Sequence, residues 1–508
     1  MQSEKRLHLG NSVLRMVLVA LSLLFQVGWI LLGILVLNES FPWLETITRI
    51  LSVAVVLRLN SQHADSAYKM PWIMLIMAVP VMGLSLYLMI GIFGDLGSIR
   101  KRLKAIRNVT RQKLLVNNEM PCQDLPAAGL ARYLQDHVGC PVYGNTAVHY
   151  YPEASDAFEA MKSELEKAES FIFMEYFIVS DHSAFREISE ILIRKAREGV
   201  DVRFMYDDVG SVGYVNMLFA KQLADAGIHC MVFNPALPLL NGFMNHRDHR
   251  KITVIDGRVG FTGGFNLSDE YFGRRITYGR WKDTGIRLEG EAVRSLTAAF
   301  LEMWDACTRT QENVEPFLSV SHGVSADGFV QPYEDDPLSR ERVAENVYLN
   351  LIYAARETLY ITTPYLIITD EMTNALGLAA KRGVDVRIIT PGVPDKKVIY
   401  AVTRSYYAGL AKQGFRIFEY TPGFCHAKQM LCDGKVASIG TSNLDYRSLY
   451  LHFENNVLLY GGSAVAAMAE DFQVLFPQCE EVTEKYRTGR SRALRLGQYI
   501  LRLFAPML

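Results

Sequence analysis

Two histidines in this chain are each followed by the same spaced set of residues. The first set is His249, Lys251, Asp256, Gly263 and Asn266, and the second is His426, Lys428, Asp433, Gly440 and Asn443. Both sets fit the pattern H-x-K-x4-D-x6-G-x2-N, and the two histidines lie 177 positions apart, at 249 and 426. A single H-x-K is common on protein surfaces, but two matching copies predict one functional site.

The chemistry that two imidazoles can share is displacement at a phosphodiester. Imidazole is neutral near pH 7, is nucleophilic, and can deliver a proton when it is charged. One histidine can attack phosphorus to form a phosphohistidine while the other protonates the departing alkoxide. In a second step the other histidine deprotonates an incoming alcohol, which displaces the first. Because one histidine cannot do both jobs in one step, the duplication predicts that the copies meet.

The lysines and asparagines of the two copies are predicted to bind the phosphate. Lys251 and Lys428 lie two positions after their histidines, and alternation along a strand places both side chains on one face. Asn266 and Asn443 follow a glycine-containing turn and can donate hydrogen bonds to the same oxygens. Two ammonium groups and two amides can replace a metal ion. No clustered carboxylate ligands accompany the motifs, so we predict no metal and no other cofactor.

Two carboxylates are candidates for orienting the histidines. An attacking imidazole needs an acceptor at its other ring nitrogen, which fixes the tautomer. Asp283 follows His249 by 34 positions, and Glu454 follows His426 by 28. Each opens an apolar strand, and this equivalent placement supports the assignment.

The aspartates of the two signatures and a neighbouring thiol have lesser roles. We include Asp256 and Asp433 among the site residues, in positioning rather than in proton transfer. Cys425 adjoins His426 but has no separate base, so it is interpreted as a small packing residue.

The elements that position these residues alternate between strands and helices from about residue 120. The segments 171–178, 200–206, 359–367 and 384–389 are predicted strands, and 185–198 and 371–382 are predicted helices. The pentapeptide GVDVR occurs at 199–203 and again at 383–387. The repeat predicts an α/β fold of two similar lobes with mixed sheets flanked by helices, at 120–320 and 321–508.

Two apolar runs precede the lobes. Met16–Leu37 and Met70–Phe93 are 22 and 24 residues long, and a bilayer core needs about 20 helical residues. We predict a membrane anchor at 1–95 with two transmembrane helices, because a cleaved signal peptide has a shorter apolar region. Ile50–Leu57 is too short to span, and an interfacial or re-entrant segment is possible there. The connector at 96–119 is basic, so the rest of the chain is predicted to face the cytoplasm.

Charge and cysteine content exclude other classes. The net charge is −1, so the whole chain has no general electrostatic attraction for nucleic acid. The mean hydropathy of +0.08 is high for a purely soluble protein. The basic connector either binds anionic headgroups or is a solvated helix. The C-terminal segment 490–508 places arginines beside apolar residues, which fits a helix on the membrane plane or packing against the second lobe. Seven scattered cysteines without C-x-x-C favour reduced thiols.

The duplicated motif resembles the phospholipase D superfamily, and nearly the whole chain resembles its bacterial cardiolipin synthases. The stretches that carry the second resemblance are Asn245–Lys251, Pro364–Tyr365, Thr403–Tyr407 and Gly440–Ser448. Asp248 stands where the family commonly has Asn. The resemblance implies that both signatures build one active site, with His249 as nucleophile and His426 as acid and then base. It also implies that a carboxylate at the position of Asp283 or Glu454 orients the histidine.

The family further implies a reaction and a place in the cell. A phosphatidyl group passes from one phosphatidylglycerol to another, which releases glycerol and forms cardiolipin, in a multi-pass protein of the bacterial cytoplasmic membrane. The family leaves the oligomeric state open. A hydrolytic phospholipase D, a nuclease of the superfamily, and a non-enzymatic membrane-shaping protein are the alternatives. The nuclease fits poorly with membrane helices, and the last would not need two intact signatures.

Residues outside the signatures are weaker candidates. A mixed group of cationic and aromatic residues is predicted to line a headgroup channel, with helical core packing of two tyrosines as the alternative. This group is Lys396, Lys397, Tyr400, Arg404, Tyr406 and Tyr407. Arg247 and Arg447 can bind the second phosphate of a two-phosphate product, and surface ion pairing accounts for them equally well.

Overall fold

A computed structural model describes most of the chain. The described residues are 42–61, 66–88, 97–114, 128–235, 245–318, 324–339 and 341–488, with a few isolated positions near both ends. The strands are β1 (Thr146–Tyr151), β2 (Phe171–Tyr176), β3 (Asp201–Asp207), β4 (His229–Phe233), β5 (Arg247–Asp248), β6 (Lys251–Ile255), β7 (Val259–Gly263), β8 (Arg280–Lys282), β9 (Gly285–Gly290), β10 (Phe329–Asp335), β11 (Thr358–Thr362), β12 (Asp385–Pro391), β13 (Arg416–Tyr420), β14 (Gly423–Cys425), β15 (Gln429–Cys432), β16 (Val436–Gly440), β17 (His452–Tyr460) and β18 (Cys479–Glu481).

Helices surround the strands and precede them. The α-helices are Pro42–Ser61, Ser66–Ala78, Pro80–Leu86, Gly97–Leu114, Ala128–Tyr133, Ala154–Leu165, Ser183–Arg197, Asp208–Ser211, Phe219–Asp225, Val293–Thr308, Val343–Ala354, Asp370–Lys381, Lys397–Lys412, Tyr446–Tyr450, Ser463–Leu475 and Thr483–Thr488. A π-helical turn covers Leu134–Val138, and 3-10 turns cover Asp269–Phe272, Glu315–Phe317 and Phe476–Gln478.

Two mixed sheets form the body of the molecule. The first has the order β1-β9-β7-β6-β2-β3-β4, and the second has the order β10-β17-β16-β15-β11-β12-β13-β18. In each sheet a parallel unit, β2-β3-β4 or β11-β12-β13, joins an antiparallel hairpin, β6-β7 or β15-β16. The predicted mixed α/β fold with two lobes is therefore confirmed. The two copies of GVDVR lead into β3 and β12, which explains the internal repeat.

Each lobe also gives a short strand to the other. β5 of the first half pairs in parallel with β17 of the second, with Arg247 opposite His452. β14 of the second half pairs in parallel with β8 of the first, with Cys425 opposite Lys282. Buried apolar side chains of both sheets belong to one continuous cluster, which also includes the helix Val293–Thr308. The two lobes therefore share a core rather than meeting at a wet surface.

The second predicted apolar run is divided. A helix ends at Ala78 and a new one begins at Pro80, because proline has no N–H to continue the first helix. A Cβ on Gly83 would lie 2.6 Å from the Cα of Ile76, so glycine allows the two segments to pack closely. None of the helices in the described part of the chain combines the length and hydropathy that crossing a bilayer requires. The first run, Met16–Leu37, lies outside the described residues apart from isolated positions.

The segment 50–57 is part of a longer helix, and the basic connector is neither a fully solvated helix nor wholly available to headgroups. Residues 50–57 lie inside the helix Pro42–Ser61, whose Ile50 and Leu57 are 67% and 66% exposed. In the connector helix Gly97–Leu114, Arg107 and Arg111 point inward to a group of acids that includes buried Glu302 and partly buried Glu334. These two arginines therefore hold the connector on the body and are not available to headgroups.

Few positions of the C-terminal segment 490–508 are described. The Arg502 guanidinium lies 4.2 Å from the ring centroid of Tyr406, and Ala505 is buried. Both positions contact the second lobe, which favours packing over a helix on the membrane plane. The six cysteines among the described residues are free.

Candidate active site

The exchanged strands bring each histidine to the opposite lobe. His249 directly follows β5, and its backbone N–H donates to the Phe453 carbonyl of β17 at 2.9 Å. His426 directly follows β14, and its backbone N–H donates to the Lys282 carbonyl of β8 at 2.7 Å. The same strand exchange thus occurs twice, and both imidazoles line one cavity of about 590 Å3 between the lobes.

The orienting carboxylates are paired across the lobes. Nδ1 of His249 lies 3.0 and 2.9 Å from the two carboxylate oxygens of Glu454. Nδ1 of His426 lies 2.7 Å from Oδ2 of Asp283. The sequence located each carboxylate by its distance from the histidine of its own copy and did not assign it to either ring. Glu454 lies in β17, which pairs with β5 next to His249. Asp283 directly follows β8, which pairs with β14 next to His426. Each histidine is therefore oriented by the carboxylate of the other copy.

These contacts determine the tautomer of both rings. An ionised carboxylate only accepts hydrogen bonds, so each Nδ1 must carry the proton and each Nε2 keeps its lone pair. Burial raises the pKa of Asp283, but Lys428 and His426 outweigh burial and hold that pKa below its usual value. Burial and the nearby lysines lower the pKa of His249 well below its ordinary value and that of His426 to about 3. Both imidazoles are therefore neutral.

Two buried lysines lie beside the histidines. Lys251 and Lys428 are each 1% exposed, and their ammonium groups donate to the backbone carbonyls of His249 and His426. Nζ of Lys428 also lies beside the His426 ring, 2.6 Å from Nδ1 and 3.0 Å from Nε2. Burial, the largest cause, lowers the pKa of Lys251 to about 7 and that of Lys428 to about 8, against the opposing effect of the carboxylates. A phosphate anion between the two ammonium groups would favour their charged forms and so offset part of the effect of burial.

The two asparagines line the same cavity. Oδ1 of Asn266 accepts from the Ile178 backbone at 3.0 Å, and Nδ2 donates to the Tyr271 hydroxyl at 2.7 Å. Nδ2 of Asn443 donates to Asp445 at 3.0 Å. Among the described residues one N–H of each amide is thus engaged, and the second N–H can bind a ligand.

Asp256 and Asp433 lie outside the cavity and serve the backbone. Asp256 has φ of 53° and accepts hydrogen bonds from three consecutive backbone N–H groups at the start of β2, at 2.8 to 2.9 Å. Asp433 has φ of 52° and binds the N–H groups at the start of β11 in the same way. These geometries fit the positioning role that we predicted and offer no route for proton transfer.

The weaker candidates divide into two groups. Of the predicted channel residues in the described structure, Lys396 lines the cavity, whereas Arg404 pairs with Glu419 and Tyr407 is buried with its hydroxyl on Thr390. The channel prediction is therefore wrong for Arg404 and Tyr407. Tyr406 and Tyr407 pack in the core, whereas Tyr400 is only partly buried. Arg247 and Arg447 both line the cavity.

His452 is a cavity residue that the sequence did not single out. Its ring centroid lies 5.5 Å from that of His249, and burial lowers its pKa to about 3. Its position two residues before Glu454 on one strand was an available signal, because such residues share a face. His249, His452 and Glu454 offer ligand atoms within 4.8 Å of one another, so they are the described residues best placed to hold a metal. The proton between His249 and Glu454 competes with that use.

Comparisons with known proteins identify the family of this chain. Residues 161–304 and 348–476 match the family model of the cardiolipin synthase phospholipase D-like domain. The chain is 33% identical to a cardiolipin synthase of Halalkalibacterium halodurans, covering 95% of each chain. It is 34% identical to one of Alkalihalophilus pseudofirmus, covering 90% of this chain and 92% of the relative. An uncharacterized protein of Streptococcus mutans is 40% identical over 90% of this chain and all of its own length.

A solved structure supports the fold. A phosphatidylserine synthase of Haemophilus influenzae superimposes with a TM-score of 0.57 at 15% identity, covering 74% of this chain and 97% of its own. The family model covers both lobes and both signatures. This chain therefore belongs to the cardiolipin synthase family of phospholipase D-like proteins.

Proposed function

We propose that this protein is a cardiolipin synthase that transfers a phosphatidyl group from one phosphatidylglycerol to another. The observation that carries the proposal is the meeting of two neutral, carboxylate-held imidazoles in one cavity between the lobes. The family relationship supports the same reaction. Two phosphatidylglycerol molecules give one cardiolipin and one glycerol.

In the first step Nε2 of His249 attacks phosphorus, and the bond from phosphorus to the glycerol oxygen breaks. Nε2 of His249 makes no hydrogen bond to the described residues, while Nε2 of His426 has Lys428 beside it. This difference supports His249 as the nucleophile. The leaving oxygen takes a proton from Nε2 of His426. Burial and, after it, the lysine charges depress the His426 pKa. We expect the bound phosphate to offset those charges and so to favour the second proton on this ring in the complex.

In the second step a hydroxyl of the acceptor phosphatidylglycerol attacks the phosphohistidine. His426, now neutral, takes the hydroxyl proton, and the bond from phosphorus to His249 breaks. Lys251, Lys428, Asn266 and Asn443 bind the non-bridging oxygens in both steps. The same residues would catalyse hydrolysis if water replaced the alcohol.

The test measures products and stoichiometry. Purified full-length protein in vesicles of labelled phosphatidylglycerol is expected to form cardiolipin and glycerol in equal amounts, and His249→Ala and His426→Ala are expected to abolish both. His149→Ala, which removes an exposed imidazole, is the control. Phosphatidic acid as the main product would identify a hydrolase instead, and full activity in either alanine variant would overturn the two-histidine mechanism.

We also propose that segments before residue 96 anchor the protein in the bacterial cytoplasmic membrane as a multi-pass protein, with the lobes in the cytoplasm. The two apolar runs, the basic residues that follow the second, and the exposed apolar side chains of the helix Pro42–Ser61 support this. Exposed Arg100, Lys101 and Lys104 are basic connector residues that can meet anionic headgroups. Protease digestion of right-side-out and inverted vesicles tests it, and cleavage of the lobes in right-side-out vesicles would contradict it.

A further inference from the structure

One wall of the cavity carries three side chains, Arg247, Arg447 and His452, with nitrogen atoms that make no hydrogen bond to the described residues. Nη1 of Arg247 and both ring nitrogens of His452 are buried without a hydrogen bond to the described residues. The guanidinium of Arg447 makes neither a hydrogen bond nor an ion pair within the described part of the chain, although it lines the cavity. Nδ1 of His452 lies 3.7 Å from Glu454, which is too long for a hydrogen bond.

Backbone pairing holds these groups together. Arg247 and His452 are direct partners in the register of β5 and β17. Arg247 is anchored because Nη2 donates to the Asn234 carbonyl at 2.8 Å and Nε lies 3.2 Å from Asp207, which leaves Nη1 unused. Arg447 projects from the helix Tyr446–Tyr450, whose first turn is capped by Asp445.

The charge arrangement calls for an anion. The two guanidinium groups are close enough to disfavour each other's charge, and Arg447 also disfavours a proton on His452. Asp207 pairs with Nε of Arg247 and also accepts from the Gly210 and Asp248 backbone. Asp445 favours the charge of Arg447, but its oxygens accept hydrogen bonds from Ser448 and Asn443. Buried donors without partners destabilise a fold unless a ligand satisfies them. Guanidinium groups bind phosphate oxygens in a bidentate manner.

We propose that Arg447, Nη1 of Arg247 and His452 form a second phosphodiester site, which binds the phosphate of the acceptor lipid. This inference rests on the proposed function. The attacking hydroxyl of phosphatidylglycerol lies three carbons from its own phosphate, so donor and acceptor phosphates must be bound side by side. Lys251 and Lys428 serve the reacting phosphate beside the histidines. The second phosphate therefore needs separate donors, and this wall supplies them next to His249.

The experiment compares acceptors of different charge. Labelled glycerol exchanges into phosphatidylglycerol through the same phosphohistidine but has no phosphate. Glycerophosphoglycerol has the phosphate without acyl chains, and phosphatidylglycerol has both. Arg447→Gln is expected to lower the rate with glycerophosphoglycerol relative to glycerol about 10- to 100-fold, since a charged hydrogen bond is lost. The ratio with phosphatidylglycerol should fall equally, and Arg447→Lys should restore part of it.

The controls separate the possible failures. Arg197→Gln removes an exposed arginine outside the cavity wall and should leave the acceptor ratio unchanged. Equal loss with glycerol and glycerophosphoglycerol in Arg447→Gln, or no loss with either, would overturn the second phosphate site. A fall with phosphatidylglycerol alone would assign Arg447 to the acyl chains and overturn it as well. A wild-type enzyme that exchanges glycerol but forms no cardiolipin would overturn the proposed function itself, and the acceptor site with it.

Discussion

Glu454 and Asp283 hold their histidines by different means. Glu454 is the longer side chain, faces Nδ1 of His249 with both oxygens, and accepts from the Thr441 hydroxyl. Asp283 gives one oxygen to His426 and the other to the Thr284 backbone N–H at 2.8 Å. Each carboxylate is therefore fixed by a neighbour of its own lobe while it orients the ring of the other lobe. This division lets the two carboxylates be tested separately.

Removing the charge of each carboxylate should impair a different step. Glu454→Gln and Asp283→Asn are each expected to lower cardiolipin formation about 100-fold or more, because the ring loses its tautomer and orientation. With a p-nitrophenyl phosphatidyl donor, whose leaving group needs no proton, Asp283→Asn should still release about one nitrophenol per enzyme. Glu454→Gln should release no nitrophenol on the timescale on which Asp283→Asn releases its one equivalent. The reverse result would exchange the roles of His249 and His426.

The lysine pKa values predict how anion binding depends on pH. A non-cleavable phosphonate analogue of phosphatidylglycerol keeps one charge between pH 6 and 10, so any change in its Kd reports the protein. Lys251 and Lys428, with pKa values of about 7 and 8, lose their protons as pH rises. Binding should therefore be tightest at pH 6 and weaken progressively above pH 7.

Substitution of one lysine identifies the titrating group. Lys251→Arg keeps its charge at high pH, so the weakening should begin about one pH unit later. Lys381→Arg, on the exposed end of a helix, is the control. A Kd that stays constant up to pH 9 in the wild type would contradict the depressed lysine pKa values.

At the scale of elements, the turns of two hairpins, β6-β7 and β15-β16, help to position Lys251 and Lys428. Asp256 directly follows β6 and Asp433 directly follows β15, and each lies in the left-handed region while it accepts hydrogen bonds from the start of the neighbouring antiparallel strand, β2 or β11. Glycine, asparagine and aspartate tolerate this backbone best. The turn therefore locks β6 to β2 and β15 to β11 at the end remote from the histidines.

Loss of these turns should lower stability more than chemistry. Asp433→Ala removes the acceptor of three N–H groups and strains the backbone, and we expect about 1–3 kcal/mol less unfolding free energy. Asp433→Asn keeps one acceptor oxygen and the tolerated backbone, so its loss should be smaller. Denaturant unfolding and activity per folded molecule are the measurements. A 100-fold loss of activity without a change in stability would make Asp433 catalytic.

Gly264 lies against Asp283, the carboxylate that orients His426. A Cβ on Gly264 would lie 2.1 Å from Oδ1 of Asp283, whereas the second copy has Thr441 at this position and uses its hydroxyl on Glu454. Gly264→Ala should therefore displace Asp283 and lower activity about as much as Asp283→Asn does. Gly409→Ala has open space in a helix and should add about 0.5–1 kcal/mol of stability without loss of activity. Full activity in Gly264→Ala would mean that Asp283 can move without consequence.

The local periodicity of the sequence predicted the main strands and helices, but it did not predict which strands pair between the lobes. β2, β3, β11 and β12 and their helices have clear periodicity, so their existence and order followed from sequence with ends off by a few residues at most positions. β5, β8 and β14 have only two or three residues, and each pairs with a strand far away in sequence. Such pairs leave no periodic signal. The residues of the site were therefore identifiable, but the partner of each histidine was not.

At the scale of the molecule, the lobes depend on each other for both packing and chemistry. Lys282 of the first lobe pairs with Asp471 of the second at 2.9 Å, and Asn455 of the second donates to Thr262 of the first at 2.7 Å. Buried Arg250 contacts Glu175 in its own lobe and Glu334 in the other. Removing one partner of such a buried pair is expensive, so these contacts hold one relative placement of the lobes.

Cutting the chain between the lobes tests this dependence. A protease site inserted after the exposed Ser325 and then cleaved should leave two fragments that stay together on gel filtration and keep cardiolipin formation within about twofold of the uncut insertion variant. The shared core and the two exchanged strands supply the reason, because neither needs the connecting backbone. The fragment 1–325 alone keeps His249 and Asp283 but lacks Glu454, so it should release no nitrophenol from the activated donor. A full burst from that fragment would mean that His249 needs no carboxylate from the second lobe, and the paired-lobe account of this active site would fail.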